Sequence, residues 1–129
     1  MSKMVLIVDD DFEHCVIAEA LISNLDASID IRITTSSYDA LEIVKDNSID
    51  CIISDFMMPG MNGLELFEML RRNGYDKLFI ILTGHPMEII QVEAEEAGVS
   101  AIYEKNNTFS VYYDVIQMIN DHERNIEVL

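Results

Sequence analysis

Acidic residues stand where two apolar runs of this sequence stop. Asp9, Asp10 and Asp11 follow the run Met4–Val8, and Asp55 follows residues 49–54. Two later runs, 78–82 and 100–104, end at Thr83-Gly84 and at Lys105. If these ends share one edge, three carboxylates, a hydroxyl and an amine meet there. Two carboxylates about 5 Å apart repel by about 3 kcal/mol at an effective dielectric of ~20, so the acids need a cation. Lys105 answers one charge. An oxygen-only donor set with no thiolate or imidazole favours Mg²⁺ for the rest, with Mn²⁺ as the alternative.

The elements that must carry these residues alternate between two periodicities. Met4–Val8 reads as a strand buried on both faces. Phe12–Leu25 follows as a helix with Val16, Ile17, Ala20, Leu21 and Leu25 on its apolar stripe, capped by Asp11. Residues 29–35 form a second strand. Ser36 or Ser37 then caps a helix carrying Ala40, Leu41 and Val44. Residues 49–54 form a third strand, and a loop with Pro59, Gly60 and Gly63 leads to a helix over 64–72 that closes at Asn73-Gly74. A strand at 78–82, a helix over 87–97 ending at Gly98, a short strand at 100–104 and a helix over 109–123 complete the chain. In the last helix, Phe109, Val111, Tyr112, Val115, Ile116 and Ile119 form one apolar stripe that reads as core. Five strands alternating with five helices predict an α/β fold with an open parallel sheet. Ligands of such sheets bind beyond the carboxyl ends of the strands, where the acids, Thr83 and Lys105 fall.

Composition narrows the setting. The 129 residues suit one domain, 1–129, and half of them are hydrophobic, enough for a packed core. Eight basic against 24 acidic residues give a net charge of −16, which disfavours direct binding to nucleic acid or an anionic membrane. No apolar run reaches the roughly 18–20 residues of a membrane span, and the N-terminus lacks the pattern of a signal peptide. Cys15 and Cys51 have no metal-ligand or CxxC spacing and read as buried free thiols. These features suggest a cytoplasmic protein. His14 and His122 show no evident partner, and His85 reads as a solvated loop residue.

Four segments resemble the response-regulator receiver family of two-component signalling. VLIVDDD is similar to the family's acid-pair motif and SDFMMPGMNG to its phosphoacceptor loop, while LTGH and YEKN supply the Thr followed by a small residue and the Lys. The resemblance spans residues 4 to 105, in order and in register. It implies a flavodoxin-like, doubly wound five-stranded sheet of strand order 2-1-3-4-5. It further implies that Asp55 is the phosphoacceptor, taking a phosphoryl group from phosphohistidine as an acyl phosphate. Asp10 would ligate the magnesium directly, Asp9 directly or through water, and Asp55 and the Met57 backbone carbonyl would complete the metal set. Thr83 and Lys105 would contact phosphoryl oxygens, with Gly84 leaving room for the group, whereas Pro59 and Gly63 would shape the loop.

The partners so implied are a histidine kinase or phosphotransfer protein and an unknown downstream protein target, with a phosphorylation-dependent homodimer. Such a chain is not an enzyme beyond catalysing its own phosphorylation and dephosphorylation. It would be a stand-alone receiver or a segment of a larger regulator or hybrid kinase. Two positions depart from the family. Asn106 follows Lys105 where Pro is usual, which favours a trans bond or an altered loop. Ile102 holds the place three before the Lys where an aromatic is usual, and Tyr103, one later, should face the other side of the sheet. Two rival readings are a pseudo-receiver that binds partners without phosphorylation and a haloacid-dehalogenase-like phosphohydrolase using Asp9 and Asp11. The second leaves Asp55 unexplained and lacks that family's late acidic motif.

Overall fold

The β-branched runs of the sequence become five strands, in a computed structural model that describes residues 2–105 and 108–128, the side chains of residues 108 and 122–128 excepted. The strands are β1 (Met4–Val8), β2 (Asp30–Thr34), β3 (Cys51–Asp55), β4 (Leu78–Thr83) and β5 (Ala101–Glu104). The helices are α1 (Phe12–Leu25), α2 (Ser37–Asp46), α3 (Gly63–Arg72), α4 (Gln91–Ala97) and α5 (Thr108–Val128), with a 3₁₀ turn at Met87–Ile89. All neighbouring strands are parallel, in the order β2-β1-β3-β4-β5. The expected flavodoxin-like order is therefore the observed one. The Lys105–Asn106 bond and the side chain of His122 lie outside the described residues.

Strand alternation divides the apolar residues between two cores. Val5, Ile7, Cys51, Ile53, Ile80 and Leu82 pack against α1 and α5, while Leu6, Val8, Ile52, Phe79 and Ile81 pack against α2, α3 and α4. The central strands are thus covered on both faces. A fully buried Leu or Ile contributes roughly 1.5–3 kcal/mol by leaving water, so the middle of the sheet is the rigid base of everything at its edge.

Helix phases correct part of the sequence reading. In α1 the buried residues are Cys15, Ala18 and Ile22, whereas Val16, Ile17 and Ala20 are exposed. Cys15, Ala18 and Ile22, at helical spacing, join the core that Val5, Ile7, Cys51 and Ile53 share with α5. In α5, Val111, Tyr112, Val115, Ile116 and Ile119 are buried as expected, but Phe109 is 59% exposed. The helix expected over 87–97 is broken at Ile90, whose φ of −119° ends the 3₁₀ turn before α4 begins. Two helix starts are as expected: the Asp11 side chain accepts from Glu13 and His14 N–H, and Ser36 from Asp39 N–H. At a third, Asn62 and Glu65 form a reciprocal capping box that the sequence reading did not name.

Candidate functional site

The strand register fixes which residues meet at the carboxyl edge. β1 lies between β2 and β3, so Asp9 and Asp10 emerge beside the end of β3, where Asp55 is the last strand residue. Carboxylate oxygens of Asp9, Asp10 and Asp55 lie within 4.8 Å of one another. From the other side β5 brings Lys105, whose Nζ lies 2.9 Å from Asp9 Oδ2 and 3.3 Å from Asp55 Oδ1. Three acids from two strands and an amine from a third thus share one small volume.

The acids differ in exposure. Asp9 is buried and Asp10 is exposed, while Asp55 is half-buried. Burial alone would raise the Asp9 carboxyl, but His14, the Asp11 N–H and Lys105 outweigh it and hold the group down at about 2. Asp55 goes the other way. Its burial and the neighbouring Asp9 charge raise it above the usual carboxylate range in spite of Lys105. Burial pulls the Lys105 ammonium down, and the two carboxylates more than reverse this.

Asp55 is held from below by glycine. A Cβ on Gly63 would lie 2.4 Å from the Asp55 carbonyl oxygen, so only glycine permits this approach of α3 to β3. Gly63 N–H donates to Phe56 O, and Phe56 N–H donates to Leu82 O, which ties the loop to β4. Ser54 Oγ donates to the Asp55 carbonyl at 2.9 Å. Met57 follows with its side chain 54% exposed, whereas Met58 and Met61 pack into the core.

Thr83 ends β4 with no exposed surface. Its Oγ1 accepts from His85 N–H at 3.0 Å and donates to His85 O at 3.3 Å, so the hydroxyl is held by its own loop. That loop is pinned again at Met87, whose N–H donates to Glu104 Oε1 at 3.1 Å. Thr83, Gly84, His85, Pro86, Glu104 and Lys105 line an open cleft of about 430 Å³, in which a Cβ on Gly84 would touch nothing. A larger cavity, about 570 Å³, lies between α2 and the end of α3. It sits at the amino ends of the strands, away from the acids, and the chemistry assembles at the opposite edge.

Ile102 packs toward the α2–α3–α4 core and Tyr103 toward the α1–α5 core, the opposite facing expected of neighbours in a strand. His85 is exposed. His14 is the residue the sequence reading passed over. Its Nδ1 lies 2.7 Å from Asp9 Oδ2, and a signal for it existed: His14 shares a helix face with the buried Ala18.

Comparison with known proteins gives the family. The model of the response regulator receiver domain matches residues 5–126. The chain belongs to that family, the receiver domains of two-component response regulators, which as a class are signalling phosphoacceptors. Response regulator MprA of Mycobacterium sp. (strain KMS) is 29% identical over 99 residues, 76% of this chain and 42% of the relative, so the chain spans about two fifths of that protein. Two-component response regulator 24 of Arabidopsis thaliana is 28% identical over 89% of this chain and 82% of its own length. A CheY-like receiver domain protein of Methanospirillum hungatei superposes with a TM-score of 0.86 at 21% identity, over 97% of this chain and 99% of its own. Chemotaxis protein CheY4 of Vibrio cholerae gives 0.82 at 21% identity, over 92% and 99%. No helix among the described residues is long and apolar enough to cross a membrane.

Proposed function

We propose that this chain is a phosphoacceptor switch in a two-component phosphorelay, with Asp55 as the acceptor. The observation that carries the reading is the position of the Asp55 carboxylate, at the end of β3 with Lys105 Nζ 3.3 Å away and two further acids beside it. An Asp55 oxygen attacks the phosphorus of a kinase phosphohistidine. The new O–P bond forms as the P–N bond breaks, and the leaving imidazole keeps the electron pair and takes a proton from water. Lys105 holds one phosphoryl oxygen. Thr83 gives up its bond to His85 O to donate to another, which draws in the loop that Glu104 now pins.

The donor set suits Mg²⁺ or Mn²⁺: three carboxylates with ligand atoms within 4.8 Å, without sulfur. When bound, the ion supplies charge neutralisation between acceptor and phosphoryl oxygens. Asp10, exposed and open, would hold it directly, with Asp55 and the Met57 carbonyl. Asp9 would act through water, because its two oxygens already face Asp11 N–H, Lys105 and His14. The same occupation argues against Asp9 as the nucleophile of a phosphohydrolase, and a complete set of acids, Thr83 and Lys105 argues against a receiver that is never phosphorylated.

On this reading residues 1–129 work as one receiver domain in the cytoplasm, with a histidine kinase or phosphotransfer protein upstream. Downstream is a protein target, engaged by the receiver alone or as a phosphorylation-dependent homodimer. Mass spectrometry after acetyl phosphate treatment tests the reading. One phosphoryl group should appear with Mg²⁺ and be lost with EDTA or in Asp55→Asn. Thermal shifts test the metal: Mg²⁺ should stabilise the wild type and do much less for Asp10→Asn. Labelling that survives Asp55→Asn unchanged, or equal Mg²⁺ shifts in both proteins, would refute the assignments.

A further inference from the structure

His14 contributes neither acid, hydroxyl nor amine to the site, yet its imidazole touches Asp9. Nδ1 lies 2.7 Å from Asp9 Oδ2, within donating distance of that oxygen when the ring carries its proton on this nitrogen. The N–H is aimed off the oxygen, and both ring nitrogens are buried without a well-directed partner. Asp9 is only 3% exposed, so its charge must be answered from inside the protein. Oδ1 accepts from Asp11 N–H at 3.0 Å, and Oδ2 is shared between His14 and Lys105 Nζ.

Lys105 is also within 3.3 Å of Asp55 Oδ1. A phosphoryl group on Asp55 would compete for this ammonium with about −1.5 to −2 charge. Once Lys105 turns to it, His14 is the side chain among the described residues still in contact with Asp9 Oδ2. His14 is well placed for that role. It lies on the first turn of α1, which the Asp11 cap fixes, so the ring needs only to turn for its N–H to meet the oxygen.

We propose that His14 is a positioning residue that takes over Asp9 Oδ2 when Lys105 moves to the phosphoryl group, so that the ammonium leaves a buried carboxylate without stranding it. This rests on the reading of Asp55 as phosphoacceptor. It assigns His14 a part in the resting-to-phosphorylated change and none in holding the metal. A side chain that merely filled space would be replaced without loss by one of similar bulk.

The full chain with two substitutions tests this. His14→Leu keeps bulk without a donor, and His14→Asn keeps an N–H near the position of Nδ1. At saturating Mg²⁺ and acetyl phosphate, His14→Leu should be phosphorylated about tenfold more slowly and His14→Asn within about threefold of wild type, the loss of one hydrogen bond. Mg²⁺ affinity, measured by calorimetry, should stay the same in all three within about threefold. In wild-type ¹⁵N spectra, the Nδ1 proton should become at least about tenfold better protected from exchange when beryllofluoride is added. A wild-type rate for His14→Leu, an equally slow His14→Asn, or an Mg²⁺ affinity that falls with the rate would overturn the proposal. So would an unchanged Nδ1 signal, even if His14→Leu does not fold. Absence of wild-type labelling at Asp55 would instead remove the phosphoacceptor reading, and the role of His14 with it.

Discussion

Lys105 and Asp9 stand 96 residues apart in the chain and 2.9 Å apart in space. The pair closes the site, since β5 supplies the amine and β1 the acid across the two strands between them. Lys105 also faces Asp55, so removing it leaves two poorly hydrated carboxylates side by side. With metal chelated, Lys105→Met should lose about 2–4 kcal/mol of stability, somewhat below a fully buried pair because the amine is partly exposed. Denaturant titration in EDTA measures this, and a loss below about 1 kcal/mol would mean that water answers the acids.

Asp9 and Asp55 should tilt stability against pH in opposite directions. The Asp9 carboxyl is held at about 2, below its unfolded value, so its contribution is present at neutral pH and lost as pH falls from about 4 to about 2. Asp55 is raised, so its ionisation weighs against the fold at neutral pH, and the cost fades as pH falls through its raised value. In EDTA, Asp55→Asn should therefore be more stable than wild type at pH 7 and converge with it near pH 4. A gap between the two that widens on acidification would reverse the sign given to Asp55.

Gly63→Ala should damage the site from beneath. The added methyl would meet the backbone carbonyl of Asp55 at 2.4 Å, with no flexible side chain to yield. A loss of about 1–3 kcal/mol is expected, together with slower labelling of Asp55 by acetyl phosphate. Stability and labelling both at wild-type levels would show that α3 can shift away cheaply.

The response to phosphorylation should lie in the loop rather than in a rotating ring. Ile102 has neither a ring to swing into vacated space nor a hydroxyl to bond the loop, and Tyr103 packs on the other face of the sheet. Thr83 Oγ1 is bonded to both the N–H and the carbonyl of His85, and Met87 N–H to Glu104, so a change of partner at Thr83 acts on this loop. Structures with and without beryllofluoride should differ in the backbone from Gly84 to Met87, with Ile102 in place. An inward swing of Tyr103 coupled to Thr83 would contradict this.

Much of the edge was legible from the chain because each of its chemical groups directly ends a strand. Asp9, Asp55, Thr83 and Lys105 follow apolar runs, and a parallel sheet must bring such ends together. Less legible was the phase of α1, where Val16 and Ile17 compete with Cys15 and Ala18. Hydrophobicity favours the larger pair, yet the smaller pair is the one that joins the core. The contact of His14 with Asp9 depended on that phase and so was missed with it. The break at Ile90 had no marker either, since residues 87–97 include neither proline nor glycine.

The buried thiols have a use unrelated to signalling. Burial pushes Cys15 up to about 11 and Cys51 higher still, so at neutral pH the closed molecule offers a thiol reagent on the order of one thiolate in ten thousand or fewer. Labelling must wait for opening, and its rate becomes a clock for that event. Both sulfurs lie in the core beneath α1 and α5, so the clock registers that side of the sheet alone. The α2–α3–α4 side, with the loop that follows β4, can rearrange and leave it silent.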